Sequence, residues 1–140
     1  MRITAKVDYA VRAVIELADA DRNHPVKGDR IQLQQVLVNL ITNAMEAMME
    51  NKRPRILRIK SATHDPHGVM VSVADTGPGI DPAVANRIFN PLFTTKSSGM
   101  GLGLAICRSI IEGHDGRLSV SSAAEGGSVF QFVLPADIAP

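Results

Sequence analysis

Apolar side chains recur at helical spacing from Leu33 through Val36, Leu37, Leu40, Ile41, Ala44 and Met45 to Met48, and no other run restricts the fold as much. A helix written this way carries a continuous apolar stripe that is stable only against a second layer. Asp29 followed three residues later by Gln32 is a capping-box pattern, which predicts the helix over about residues 30–50. The basic stretch that opens at Lys52 and contains Pro54 ends it.

The segments that follow supply the covering layer. Leu57-Arg58-Ile59-Lys60-Ser61 alternates like a strand, Asp65-Pro66-His67-Gly68 reads as a turn, and Val69, Val71 and Val73 alternate again. Together they predict a hairpin. Asp81-Pro82 reads as an N-cap with proline at the first helical position, starting a short helix to about Ile88. A loop from Asn90 to Gly101 leads to a second helix over about residues 102–112, stopped by Gly113. Two last strands are centred on Leu118–Ser121 and Val129–Leu134, and Glu125-Gly126-Gly127 lies in their connection. Strands and helices in separate runs predict an α+β fold, a mixed sheet with helices packed on one face.

The 140 residues, 45% hydrophobic and 21% charged, suffice for one domain with a sizeable core. A lone cysteine, Cys107, excludes a disulfide framework and a cysteine-rich zinc site. With 15 basic against 14 acidic residues, bulk charge gives no reason to expect nucleic acid or a membrane surface as partner. No apolar run approaches the ~18–20 residues of a membrane span, and the N-terminus lacks a secretory signal's apolar core. The expectation is a cytoplasmic domain touching neither nucleic acid nor membrane. Residues 5–18 fit helical and strand periodicity equally. We take 11–18 as the domain's first strand, which gives a leader over 1–10 and a domain over 11–140.

Three constellations carry chemistry. On the first helix Asn39 and Asn43 are one turn apart and share a face with Gln35. Paired neutral amide oxygens suit Mg²⁺, which takes few protein ligands and completes its shell with water and phosphate; the competing reading is a solvated helix flank. Next, Asp75-Thr76-Gly77-Pro78-Gly79-Ile80 follows the strand of valines. A carboxylate there can accept a hydrogen bond from an exocyclic amine such as that of adenine, and the glycines admit a flat base; an ordinary Asp/Gly/Pro turn is the alternative. Third, Gly99-Met100-Gly101-Leu102-Gly103-Leu104 opens a helix, where free N–H groups and the helix N-terminus favour phosphate. It neither follows a strand like a dinucleotide fingerprint nor ends in the Gly-Lys-Ser/Thr of a P-loop, and a flexible hinge is its other reading.

In this order and spacing, residues 28–134 resemble the ATP-binding catalytic domain of bacterial sensor histidine kinases, within the superfamily of DNA gyrase, Hsp90 and the mismatch-repair ATPases. GDRIQLQQVLVNLITNAMEAM matches the asparagine box and VADTGPGI the first glycine box. IFNPLFTTK matches the phenylalanine box, GMGLGLAICRSIIEGHDG the second glycine box, and GGSVFQFVLP the last hairpin. The resemblance implies a two-layer α/β sandwich of the Bergerat type that binds ATP with Mg²⁺. It implies Asn43 as main metal ligand, with Asn39 beside it on metal or phosphate. Asp75 would take the adenine amino group, with Gly77 and Gly79 walling the base and Ile80 beside them. Gly99, Gly101, Leu102 and Gly103 would hold phosphates, and Phe89 and Phe93 would anchor the lid between. Lys96 is a candidate phosphate contact or a solvated lid lysine. Ser128 stands where the family often has threonine near the adenine. Asp115 stands where it usually has glycine, and aspartate tolerates the left-handed backbone better than most residues.

Position 39 discriminates within the superfamily. Its ATPase branches carry a glutamate there as general base for water, whereas Asn39 cannot take a proton at neutral pH. The chain therefore resembles a domain that holds ATP for transfer rather than hydrolysis. The implied partners are ATP or ADP, a dimerisation and histidine phosphotransfer domain of the parent kinase, and a response regulator. The parent kinase's membrane anchoring stays open. The histidines His24, His64, His67 and His114 read as loop or structural residues and not as the phospho-acceptor. Two rival readings share the fold: a serine kinase of the anti-sigma-factor type, and a nucleotide-dependent interaction module without turnover. Residues 1–18 also resemble the first helix of winged-helix iron–sulfur repressors, but no recognition helix or cluster cysteines follow.

Overall fold

The computed structural model describes residues 30–52, 54–64, 68–91, 103–123 and 126–135. Among them the elements run α1 (Arg30–Ala47), β1 (Arg58–His64), β2 (Gly68–Ala74), α2 (Gly103–Gly113), β3 (Arg117–Ser122) and β4 (Ser128–Pro135). The strand expected at 11–18, the leader before it and the turn residues 65–67 lie outside the described residues. So does the boundary between leader and domain.

The long first helix forms as its periodicity requires but stops at Ala47. Beyond it Met49 N donates to Glu46 O and Asn51 N to Met48 O, tighter three-residue turns that unwind the helix before Pro54. The strands make one four-stranded sheet in the order β1-β2-β4-β3, and the three described pairings are antiparallel. The predicted hairpin is β1 with β2, Ile59 opposite Val73.

Alternation places one sheet face inward. Val71 of β2, Phe132 of β4 and Leu118 of β3 stand in one row across the sheet, and Val73, Phe130 and Val120 in the next. Val36, Leu37, Leu40, Ile41 and Ala44 of α1 and Cys107 and Ile111 of α2 close over these rows in a single buried cluster. Burying such side chains is worth ~1.5–3 kcal/mol each for the larger ones. Both helices thus lie on one face, a two-layer sandwich. No helix among the described residues is long and apolar enough to cross a membrane.

One expected element differs. Residues 82–89 form successive turns and no regular helix. The cap is made, Ala83 N donating to Asp81 Oδ1 at 2.9 Å. Only Ala85 N reaches back four residues, to Asp81 O, while Val84, Arg87 and Asn90 bond carbonyls three residues back. Too few consecutive four-residue bonds form to repay helix nucleation.

The end of α2 explains Asp115. Gly116 N donates to Ile111 O at 2.9 Å and Asp115 N to Glu112 O at 3.0 Å, the two bonds of a Schellman cap. Asp115 occupies its left-handed position with φ of 61°, among the described residues the only non-glycine with positive φ. Asp115→Gly should therefore raise stability by about 1 kcal/mol through relief of left-handed strain. Chemical denaturation of both chains checks this; an unchanged or lower midpoint for the glycine variant would refute it.

Candidate nucleotide-binding site

The site is built where β2 ends. Asp75 leaves the strand as its backbone N–H donates to Ser128 O at 3.0 Å, so the first residue of β4 fixes the start of the loop. Asp75 is 3% exposed, and its carboxylate is hydrogen-bonded within the protein. Its Oδ1 accepts from Gly77 N at 2.8 Å and, at longer range, Ser128 N at 3.4 Å. Its Oδ2 accepts from Ser128 Oγ at 2.8 Å. A buried carboxylate persists only with such donors around it. Among the described residues Oδ2 has a single donor, and so it keeps lone-pair capacity for another N–H.

The glycines of the loop allow two close backbone approaches. A Cβ on Gly77 would stand 2.9 Å from Ala47 O, because the loop lies directly on the last carbonyl of α1. Gly79, with φ of 82°, brings its backbone against Gly127, whose O would be 3.2 Å from an added Cβ. Ile80 and Phe89 are partly buried against the core, and Phe89 meets Phe130 edge to face at 6.2 Å between centroids.

Asn39 and Asn43 sit half-buried one turn apart on α1. Asn39 lies at the seam with α2. Burial pushes the Cys107 thiol up to about 11, and a side-chain hydrogen bond with Asn39 partly offsets it. The thiol is therefore neutral at physiological pH, and its Sγ also faces Val36 O. Gly103 is the first residue of α2, one turn before Cys107, with open space around its Cβ position. The expected phosphate and lid positions Phe93, Lys96, Gly99, Gly101 and Leu102 lie outside the described residues.

Two residues of this site escape sequence reasoning. Gly127 is one, since a Cβ there would fall 2.0 Å from Asp75 O. The Gly126-Gly127 doublet is its only local signal. Thr76 is the other, a side chain inside a recognised motif whose partners lie far away in sequence.

A two-layer α/β sandwich with a buried strand-end carboxylate, a glycine-lined loop and paired asparagines on the adjoining helix defines an ATP-binding domain of the Bergerat type. Comparison with known proteins agrees: residues 28–138 match the family described as histidine kinase-, DNA gyrase B-, and HSP90-like ATPase, and the chain belongs to that family. Within it the chain is an ATP-binding catalytic domain of the sensor histidine kinase kind. Sensor protein FixL of Bradyrhizobium diazoefficiens is 48% identical over 111 residues, covering 79% of this chain and 22% of FixL. The catalytic domain of histidine kinase ThkA superimposes with a TM-score of 0.73 at 34% identity, covering 93% of this chain and 92% of that one. ThkA has also been solved in complex with response regulator protein TrrA. Full-length ShkA in complex with AMPPNP gives a TM-score of 0.72 at 27% identity, over 95% of this chain and 30% of ShkA. The chain spans about a fifth of the length of the curated relatives it matches.

Proposed function

We propose that this domain holds Mg-ATP and presents the γ-phosphoryl group to a histidine on the dimerisation domain of its parent kinase, which then passes it to a response regulator. The buried Asp75 carboxylate, with an acceptor site left on Oδ2, is the observation that carries the reading. Adenine offers an amino group that can donate there.

The remaining residues fit the same ligand. Asn43, with Asn39 beside it, supplies the hard neutral oxygens that magnesium accepts. Magnesium, when bound, neutralises charge on the phosphate oxygens. Gly99, Gly101, Leu102 and Gly103 would direct N–H groups at the phosphates from the start of α2, and Lys96 would add a positive charge. Phe89 and Phe93 would hold the intervening lid to the core. Asn39 offers no base for water, which favours a histidine nitrogen as the attacking group, with ADP leaving. Such transfer needs positioning and charge neutralisation more than covalent chemistry from the protein. Likeness to a kinase solved with its response regulator supports the downstream partner. The reading places the domain in the cytoplasm, whether or not the parent kinase is anchored to a membrane.

Mixing the chain with the separately produced dimerisation domain and γ-labelled ATP tests this. An acid-labile phosphohistidine on that domain is expected. An acid-stable phosphoester would indicate a serine kinase, and intact ATP binding with no label an interaction module.

A further inference from the structure

We infer that Thr76 is a positioning residue that sets the distance between the adenine carboxylate on Asp75 and the metal asparagines on α1. The inference rests on the nucleotide reading above and deepens it.

Both polar backbone groups of Thr76, and its hydroxyl as donor and acceptor, are tied to the connection between α1 and β1. Its N–H points at Met48 Sδ at 3.3 Å, and its carbonyl accepts from Asn51 Nδ2 at 2.6 Å. Its hydroxyl donates to Pro54 O at 2.7 Å and accepts from Ile56 N at 3.0 Å. Met48 Sδ also lies 3.3 Å from that hydroxyl. The next residue, Gly77, rests on Ala47 O so closely that a Cβ would approach to 2.9 Å. The loop thus has two anchors: Asp75 is fastened to β4 through Ser128, and Thr76 to the connection that leaves α1.

The second anchor is the one that matters for registration. Asn43 is one helical turn before Ala47 on the same rigid element. Asp75 and Thr76 are adjacent. The path from adenine end to metal end therefore runs through the Thr76 bonds and one turn of helix. Base and phosphates are joined through the ribose and span a limited range of separations, so a site engages both ends well only if its two halves are held within ~0.5 Å of the productive geometry. The partners of Thr76 are Met48, Asn51, Pro54 and Ile56, all in the connection that follows α1 and none of them among the residues assigned to the nucleotide, so its effect acts through the loop.

Thr76→Val keeps the side-chain shape and removes the hydroxyl, which breaks the bonds to Pro54 and Ile56. Calorimetric titrations with Mg-ATP and Mg-GTP are run on the wild type, Thr76→Val, Thr76→Ser and Asp75→Asn. Thr76→Val is expected to lose ATP affinity by about tenfold, the equivalent of one or two hydrogen bonds, with a smaller loss for GTP. The ratio of ATP to GTP affinity should narrow, and Thr76→Ser should restore it. That ratio does not depend on the folded fraction, so a merely structural role would leave it unchanged. If Thr76→Val does not fold, Asn51→Ala, which deletes only the bond to the Thr76 carbonyl, is read the same way. An unchanged ratio in a folded variant while Asp75→Asn abolishes binding overturns the role of Thr76 and leaves the nucleotide site standing. A wild type that binds no ATP, or an Asp75→Asn that binds normally, overturns both.

Discussion

Asp75→Asn is expected to weaken ATP binding by about 100-fold or more, ~3 kcal/mol, while changing the stability of the empty domain by no more than about 1 kcal/mol. The two effects separate because of the way the carboxylate is held. Its Oδ1 receives Gly77 N and Ser128 N, and both bonds survive if the asparagine amide oxygen takes that place. The amide nitrogen then occupies the position of Oδ2, where the partner is the hydroxyl of Ser128. A hydroxyl can turn from donor to acceptor, so the network inside the protein closes again. The adenine amino group has no such freedom. It would meet an NH₂ group, two donors face to face in a buried pocket, and a site built to receive a donor rejects its mismatch strongly. Calorimetry with ATP, and thermal melting without it, read the two quantities. A variant that binds ATP within a fewfold of wild type would remove Asp75 from the adenine site.

Much of this arrangement is legible in the residues, and the exceptions share a cause. The stripe from Leu33 to Met48 and the alternation of Val69, Val71 and Val73 each report a local period, so α1 and the β1–β2 hairpin follow from sequence alone. Asp75 and the motif glycines stand out as candidates because six consecutive residues carry their pattern. The partner that fixes the carboxylate, Ser128, is 53 residues away and meets it only through the β2–β4 register. The contact of Asn39 with Cys107 likewise requires α1 and α2 to pack, which no period in either helix specifies. At Asp81 the cap signal was correct but governed one turn, since a cap starts a helix and cannot sustain it. At Asp115 the departure from glycine was visible, and the left-handed backbone it implied is present. Local signals thus carry the elements, and pairing between distant elements carries the site.

Gly127→Ala should be the most damaging single methyl that can be added to the site. Gly127 has φ of 95°, beyond the range that side-chain-bearing residues adopt readily. Its Cβ would also fall 2.0 Å from Asp75 O, 2.8 Å from Asp75 C and 3.1 Å from the Cα of Thr76. These are backbone atoms of a loop anchored on both sides, so nothing flexible can yield. Either the β3–β4 connection moves away or Asp75 does, and each movement breaks the bonds that Ser128 makes to the carboxylate. Backbone strain and displacement together should cost about 3 kcal/mol or more, a fall of roughly 10 °C in melting temperature for a domain of this size. Gly113→Ala is the matched control, because a Cβ there meets nothing within 4 Å. Thermal melts of the two variants should differ by most of that interval, and the folded fraction of Gly127→Ala should bind ATP poorly. Equal melting of both variants would mean that the hairpin does not approach Asp75 as closely as described. The pocket would then owe its shape to the Asp75–Gly79 loop alone.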